Sequence, residues 1–449
     1  MSHELLTFLL VGMALGTKLV TAPHPPWWGR MIRRFLVSTF PIAQHILFDL
    51  TVTELGNFTN SKGTLIVVNH KTDFDIILLG PTMYKAGGKA ARRIAFVAAE
   101  RMFLPGYISD YILHGPQWLR RLVYPANLSA ILKAIRAYPI GYLHSRKLKA
   151  HLRTALEIIG DMPIGEVFSR PIEEIIPGAT ADTPISRILR FRNHEALDRE
   201  WDFSVFTPTI RHKLRRQHMQ ETIEDLGRFA AVLNDGDPLY IAPEGGLETD
   251  GRFDEAKAGL VRLVKMARNA IILPVNITYD FMTTGRQRTF MTIGKEQCNV
   301  KNWSRSRLEQ GVITSVERLG MITFSQLAAV GMRRLAEDGD LIHTVALKQE
   351  ILREMLLLTD RGYYVDMHIL DPKEFAKRWK RFIAYCVRNR MLQQIGAWIM
   401  CDTNTLFGPT SDGKVPPWTY AINEFNAIVN ATEAGITETE QEGAVLSGI

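Results

Sequence analysis

Apolar positions along the 449-residue chain fall into short β-branched runs that alternate with longer stripes of helical period. Thr64-Leu65-Ile66-Val67-Val68 predicts a buried strand, followed by a helix from Thr72 to about Lys85. Arg93 to Ala98 predicts a second strand, Pro139 to Leu143 a third, and helical period resumes from Leu148 to Ile159. Roughly Asp161 to Arg216 sustains no period. Pro163, Pro171, Pro177, Pro184 and Pro208 interrupt it, and it ends in the basic run Arg211 to Arg216. It is expected to be an insertion over the active-site face. Ile223, Leu226, Ala230 and Leu233 then share one helix face, Asn234 to Pro238 is a turn, and Leu239 to Ala242 is a strand leading into Pro243-Glu244-Gly245-Gly246. Leu260, Val264 and Ala267 mark another helix and Ile271 to Thr278 another strand. This alternation predicts an α/β domain, a mixed sheet flanked by helices, over residues 51–300 with the insertion at 161–216. A mainly helical accessory region, including Val345 to Leu358, is expected over 301–428, and an acidic flexible tail over 429–449.

The first 50 residues follow another pattern. Leu5 to Gly16 is nearly all apolar, but about 12 helical residues span roughly 18 Å, short of a hydrocarbon core of about 30 Å. Trp27, Trp28, Arg30, Arg33 and Arg34 follow, then the apolar stretch Phe35 to Leu50. Two apolar helices joined by a Trp/Arg segment suit the membrane interface, where rings and cations sit at headgroup depth; two ordinary core helices are the alternative. The expectation is surface attachment at a cytoplasmic face, by a monotopic or short N-terminal anchor.

Charge adds to this picture. The net charge is +7, yet no Lys or Arg follows Lys414, while Glu424, Glu433, Glu438, Glu440 and Glu442 do, so the body is more basic than the total. Excess positive charge suits anionic membrane lipids or phosphate-bearing substrates. The basic groups lack the interleaved aromatics of a stacking surface, which argues against nucleic acid. Cys298, Cys386 and Cys401 form no close pair and are read as buried small hydrophobes; no spacing of His, Cys or acidic residues suits a metal. Gly87-Gly88-Lys89-Ala90 lacks the upstream Gly and the Ser/Thr of a nucleotide loop.

Two constellations could carry chemistry. Asn69-His70 follows a buried strand, at the end where α/β folds place ligand sites. A neutral imidazole there can take a proton from an attacking hydroxyl, and a carboxylate on its other nitrogen would fix the tautomer. On an ideal helix Asp73 lies about 60° from His70 and Asp75 about 140°, which favours Asp73 unless His70 precedes the helix. A helix cap with a satisfied polar contact would look the same. The second is Pro243-Glu244-Gly245-Gly246, where adjacent glycines let backbone N–H groups approach a phosphate. A plain turn is the alternative.

Together, in this order, the two resemble the glycerolipid acyltransferases, membrane-associated enzymes that acylate glycerol-3-phosphate and 1-acylglycerol-3-phosphate. The resemblance rests on Val67-Val68-Asn69-His70-Lys71-Thr72-Asp73-Phe74-Asp75, on Pro243-Glu244-Gly245 with Phe253 and Lys257-Ala258-Gly259 after it, and on the apolar strand around Pro274. It covers residues 30 to 280 or so. It implies His70 as general base oriented by Asp75, with His70 in the turn rather than the helix. It further implies substrate-binding roles for Arg146, Glu244, Gly245, Gly246, Lys257 and Pro274, with Arg101 and Arg153 as rivals to Arg146 for the phosphate. The donor it implies is acyl-CoA or acyl carrier protein carrying the acyl thioester, with no further cofactor and a glycerol-phosphate-type acceptor. Leu247 stands where many members carry Arg, which leaves another lysophospholipid, or an acceptor without phosphate, as the alternative. A catalytically silent membrane-binding homologue is a third.

Overall fold

In a computed structural model, the structure describes residues 26–56, 63–72, 75–86, 93–104, 107, 123, 128–141, 147–190, 195–199, 201–253, 256–337, 339–402, 406–408 and 415–447. The chain is mixed α/β with a seven-stranded mixed sheet. It divides into two compact units, one drawn mainly from Arg30–Phe96 and Ala230–Ile449, the other mainly from Val97–Phe229.

The first unit carries strands β1 (Phe48–Glu54), β2 (Thr64–Val68), β5 (Leu239–Ile241), β6 (Ile271–Asp280) and β7 (Gln287–Ile293) in the order β1-β7-β6-β2-β5. β3 (Ala95–Ala99) joins β5 through Ala95 and Phe96. β2 pairs in parallel with both β5 and β6, for example Leu65 with Leu239 and with Ile272. Every residue of β2 and β5 is buried, as continuous Val/Ile/Leu runs require of parallel strands covered on both faces. β7 runs antiparallel to β6 and parallel to β1.

Ile66, Val68, Leu273, Val275 and Ile277 pack with Leu78, Leu79 and Met83 of the helix α2 (Asp75–Ala86). The helix α1 (Pro26–Leu47) reaches α2 through Gln44 Nε2, which donates to the Leu78 carbonyl at 3.1 Å. The apolar stretch expected to stay helical to Leu50 instead turns into β1 at Phe48, because Phe48-Asp49-Leu50-Thr51-Val52-Thr53 finds a parallel partner in β7. Leu5 to Gly16 lies outside the described residues. Among the described residues no helix is long and apolar enough to cross a membrane.

The helices of the second unit include α3 (Leu148–Ile159) and most of α4 (Pro208–Asn234). Between them the Pro-rich excursion forms short turns of helix that close on a core of their own, with Ile164, Phe168, Ile185, Phe203 and Phe206 buried together. β4 (Ala137–Ile140) also falls within this unit's residues.

α5 (Ala258–Met266) lies between β5 and β6, and beyond β7 the first unit continues as α6 (Arg305–Glu317), α7 (Phe324–Ala336), α8 (Thr344–Asp360), α9 (Pro372–Arg388) and α10 (Pro417–Ser447). Thr323 and Gln326 close α7 with a reciprocal capping box. Phe324, Phe375, Trp379, Phe382 and Trp418 sit in the core of this region. A small sheet of β8 (Leu341–His343), β9 (Gln393–Ile395) and β10 (Trp398–Met400) interrupts the helices. The stretch expected to be a flexible tail from 429 is instead helical to Ser447, with Ala431 buried near its start. Cys386 and Cys401 are buried, and burial raises the Cys401 thiol to about 11; Cys298 is exposed, correcting its expected burial.

Candidate active site

Parallel pairing of β2 with β5 brings their carboxyl ends together, so the segments that follow, Asn69-His70 and Pro243-Glu244, emerge side by side. Asn69 is buried and extends the sheet by one step with its side chain. Its Nδ2 donates to the Ile277 carbonyl at 3.0 Å, and its Oδ1 accepts the Ile277 N–H at 2.8 Å. An asparagine carboxamide reproduces a peptide group, so the chain can leave β2 with β6 still paired. This fixes the point at which His70 departs.

His70 lies in the turn before α2, and Asp75 is the first residue of that helix. Asp75 is fully buried and gathers five donors. Its Oδ2 meets His70 Nδ1 at 2.9 Å and accepts the backbone N–H groups of Lys71 at 2.8 Å and Thr72 at 3.1 Å. Its Oδ1 accepts from Thr72 Oγ1 at 2.9 Å and from Tyr279 Oη. Five donors on one side chain are what an ionised carboxylate accommodates, since it is acceptor-only. Burial and the adjacent Asp75 charge push the Tyr279 hydroxyl well above its ordinary range, so it stays a phenol and a donor. With Nδ1 facing an acceptor, the neutral imidazole carries its proton there, and Nε2 holds the lone pair. The His70 side chain is 29% exposed while Asp75 is not exposed at all, so the ring is reachable and its partner is not.

The backbone of His70 is held on both sides by the loop after β5. Its N–H donates to Glu244 Oε1 at 3.4 Å, and its carbonyl accepts the Glu248 N–H at 2.8 Å. Gly245 has φ +72°, a left-handed position that a side chain would strain, which explains glycine at that turn. Gly246 is exposed with open space where a Cβ would stand. The Lys257 N–H donates to the Pro243 carbonyl at 3.0 Å and starts α5, leaving an exposed side chain beside the same turn. Glu244 and Glu248 are both buried, and burial raises Glu248 above the usual carboxyl range despite the opposing pull of Lys71.

Among the candidate residues, His70, Asp75 and Glu244 are thus brought together, with Gly245, Gly246 and Lys257 on the adjoining turn. Pro274 is buried within β6 in register with Val67, inside the sheet rather than among the groups that bond His70 or Asp75. Arg146 and Asp73 lie outside the described residues; Arg101 and Arg153 are exposed residues of the second unit. Tyr279, Lys71, Glu248, Tyr420 and Glu424 carry no assigned role in the sequence reading. Tyr279 lies on the strand already marked by Pro274 and could have been found by following that strand to its end. Among the described residues no cluster of His, Cys, Asp or Glu could hold a metal ion.

No family model matches the chain. No curated protein matches it either. Among solved structures it is similar to the crystal structure of the 1-acyl-sn-glycerophosphate (LPA) acyltransferase PlsC from Thermotoga maritima, with 12% sequence identity, 70% of this chain and 95% of that chain covered, and a TM-score of 0.33.

Proposed function

We propose that the chain is an O-acyltransferase that moves a fatty acyl group from an acyl thioester, on coenzyme A or acyl carrier protein, to a hydroxyl of lysophosphatidate or glycerol-3-phosphate. The observation that supports it is the His70–Asp75 pair: a reachable imidazole whose Nδ1 is held by a buried carboxylate and whose Nε2 is free to accept a proton. In the proposed step the acceptor hydroxyl oxygen attacks the thioester carbonyl carbon as its proton passes to His70 Nε2. The tetrahedral intermediate collapses, the C–S bond breaks, and the proton moves from Nε2 to the departing sulfur. Only proton transfer and orientation are required, so the proposal needs no cofactor beyond the thioester. Substrate contacts are proposed for Arg146, for the exposed Gly246 and Lys257 of the loop after β5, and for Glu244 and Gly245 of the same turn.

Attachment to a membrane surface on its cytoplasmic face belongs to the same reading. Met31, Phe35, Ile42 and Ile46, at helical spacing on α1, are 52 to 61% exposed, an apolar stripe suited to the lipid interface. Leu247, half-buried in the loop after Glu244, favours a second reading of the acceptor, one with a different headgroup or no phosphate.

The test is turnover of purified protein with palmitoyl-CoA or palmitoyl-acyl carrier protein and a panel of acceptors, read as thiol release and as product by mass spectrometry. His70→Ala should lower turnover by about 10² to 10⁴ with the thermal midpoint retained. Undiminished turnover in that variant would overturn the mechanism. Preference for unphosphorylated acceptors would select the second reading. Vesicle binding without thioester consumption would point to a silent homologue.

A further inference from the structure

The helix α10 presents three consecutive contact positions to the two segments that hold His70. Tyr420, Asn423 and Glu424 lie three and four residues apart, on one helix face. Tyr420 Oη donates to Glu248 Oε1 at 2.9 Å. Asn423 Nδ2 donates to the Asp250 carbonyl at 2.8 Å. Glu424 ion-pairs with Lys71 Nζ, and Glu248 Oε2 approaches the same ammonium at 4.0 Å. The side chains of Lys71, Glu248 and Glu424 are 6%, 2% and 4% exposed, so solvent does not weaken these charges. Gly251 has φ +85° and passes so close to α10 that a Cβ would collide with the Tyr420 carbonyl oxygen.

These contacts converge on one residue. Lys71 is bonded in sequence to His70 and gives its own N–H to Asp75; Glu248 gives its N–H to the His70 carbonyl. Releasing Glu424 would leave the Lys71 ammonium, among the described residues, with the longer Glu248 ion pair alone, a costly state for a buried charge, and the turn would move to resolve it. A shift of about 1 Å at a proton-transfer group can cost on the order of 10² in rate. We infer that Glu424 and Lys71 are positioning residues for His70, so that α10 is a working part of the acyl-transfer site rather than an appendage. This rests on the acyl-transfer reading for its activity readout and on contact geometry for the rest.

The test uses the full chain. Glu424→Gln keeps the size of the side chain and removes its charge; Tyr420→Phe removes one hydrogen bond only. Because neither side chain is proposed to bind substrate, kcat should fall, by about tenfold to a hundredfold for Glu424→Gln, with KM changed less than about twofold. Lys71→Arg, which keeps the charge, should retain more kcat than Lys71→Met. Glu374→Gln, an exposed pair with Lys377 on α9, should match the wild type. Hydrogen exchange by mass spectrometry should quicken in peptides covering 64–72 and 244–253 of Glu424→Gln, with the thermal midpoint within a few degrees. Wild-type kcat and wild-type exchange in Glu424→Gln would overturn the inference. So would a loss confined to the fraction folded, with kcat per folded molecule unchanged. If the wild type consumes no thioester, the acyl-transfer reading fails, and the exchange measurement still decides whether α10 sets the His70 turn.

Discussion

Replacing Glu317 by Gln removes a titratable group that holds its proton differently in the folded and unfolded chain. Glu317 ends α6, and its carboxyl is raised from 4.5 to about 7, first by burial and further by the nearby Glu248; the Phe253 N–H that it accepts and the Lys71 charge pull the other way. A carboxyl whose folded value lies above its unfolded one favours the folded state below the unfolded value, and that advantage is lost as pH rises through the folded value. Between pH 4.5 and 7 the wild type should therefore lose stability relative to the variant. At about 1.4 kcal/mol per pH unit, the 4.5-to-7 interval sets a ceiling of about 3.5 kcal/mol, reduced by the solvent that reaches the carboxyl. Glutamine keeps an oxygen for the Phe253 N–H, so little else changes. Thermal unfolding of both proteins at pH 4.5, 6 and 8 is the assay. Glu317→Gln should gain over the wild type as pH rises, by about 3 to 4 °C at most for a chain of this length. A difference between the two midpoints that does not vary with pH would refute the reasoning.

Asp75→Asn should lower thioester turnover by about 10⁴, because an amide cannot accept from His70 Nδ1, Lys71 N–H, Thr72 and Tyr279 together and the ring loses its tautomer; activity within about tenfold of the wild type would contradict the assignment. Gly251→Ala should lower the thermal midpoint, since the backbone of Tyr420, unlike a flexible side chain, has no easy way to yield to a Cβ; an unchanged midpoint would show that α10 can move away at little cost.

The strands that carry the site were legible because they are dense in β-branched residues: Thr64–Val68 is observed as expected, and Ile271–Asp280 extends the expected strand by two residues. β7 was not, because Thr289 and Thr292, both buried, break its hydrophobic run while still serving the sheet. β9 is fully exposed and leaves no pattern at all. The first half of α4, including Arg211 to Arg216, hid a helix inside what the prolines mark as an excursion. At the site, His70, Asp75 and Glu244 were legible as motif residues, but ideal-helix arithmetic pointed to Asp73. It failed because α2 begins at Asp75, and a carboxylate at that first position draws the preceding turn back onto itself. Tyr279, Tyr420 and Glu424 meet the site across 204, 172 and 353 residues, and a single hydrogen bond at such separation imposes no periodicity on either segment.

The pairing of Lys71 with Glu424 also has a history in time. A ribosome adding about 5 to 20 residues per second needs roughly 20 to 70 s to travel the 353 positions between them. During that interval the nascent chain already holds His70, Asp75 and, later, the loop after β5, while the ammonium of Lys71 awaits its carboxylate. The turn that carries the base is therefore among the first parts of the site to be made and the last to be locked, and a chain interrupted before α10 would present the motif without its brace.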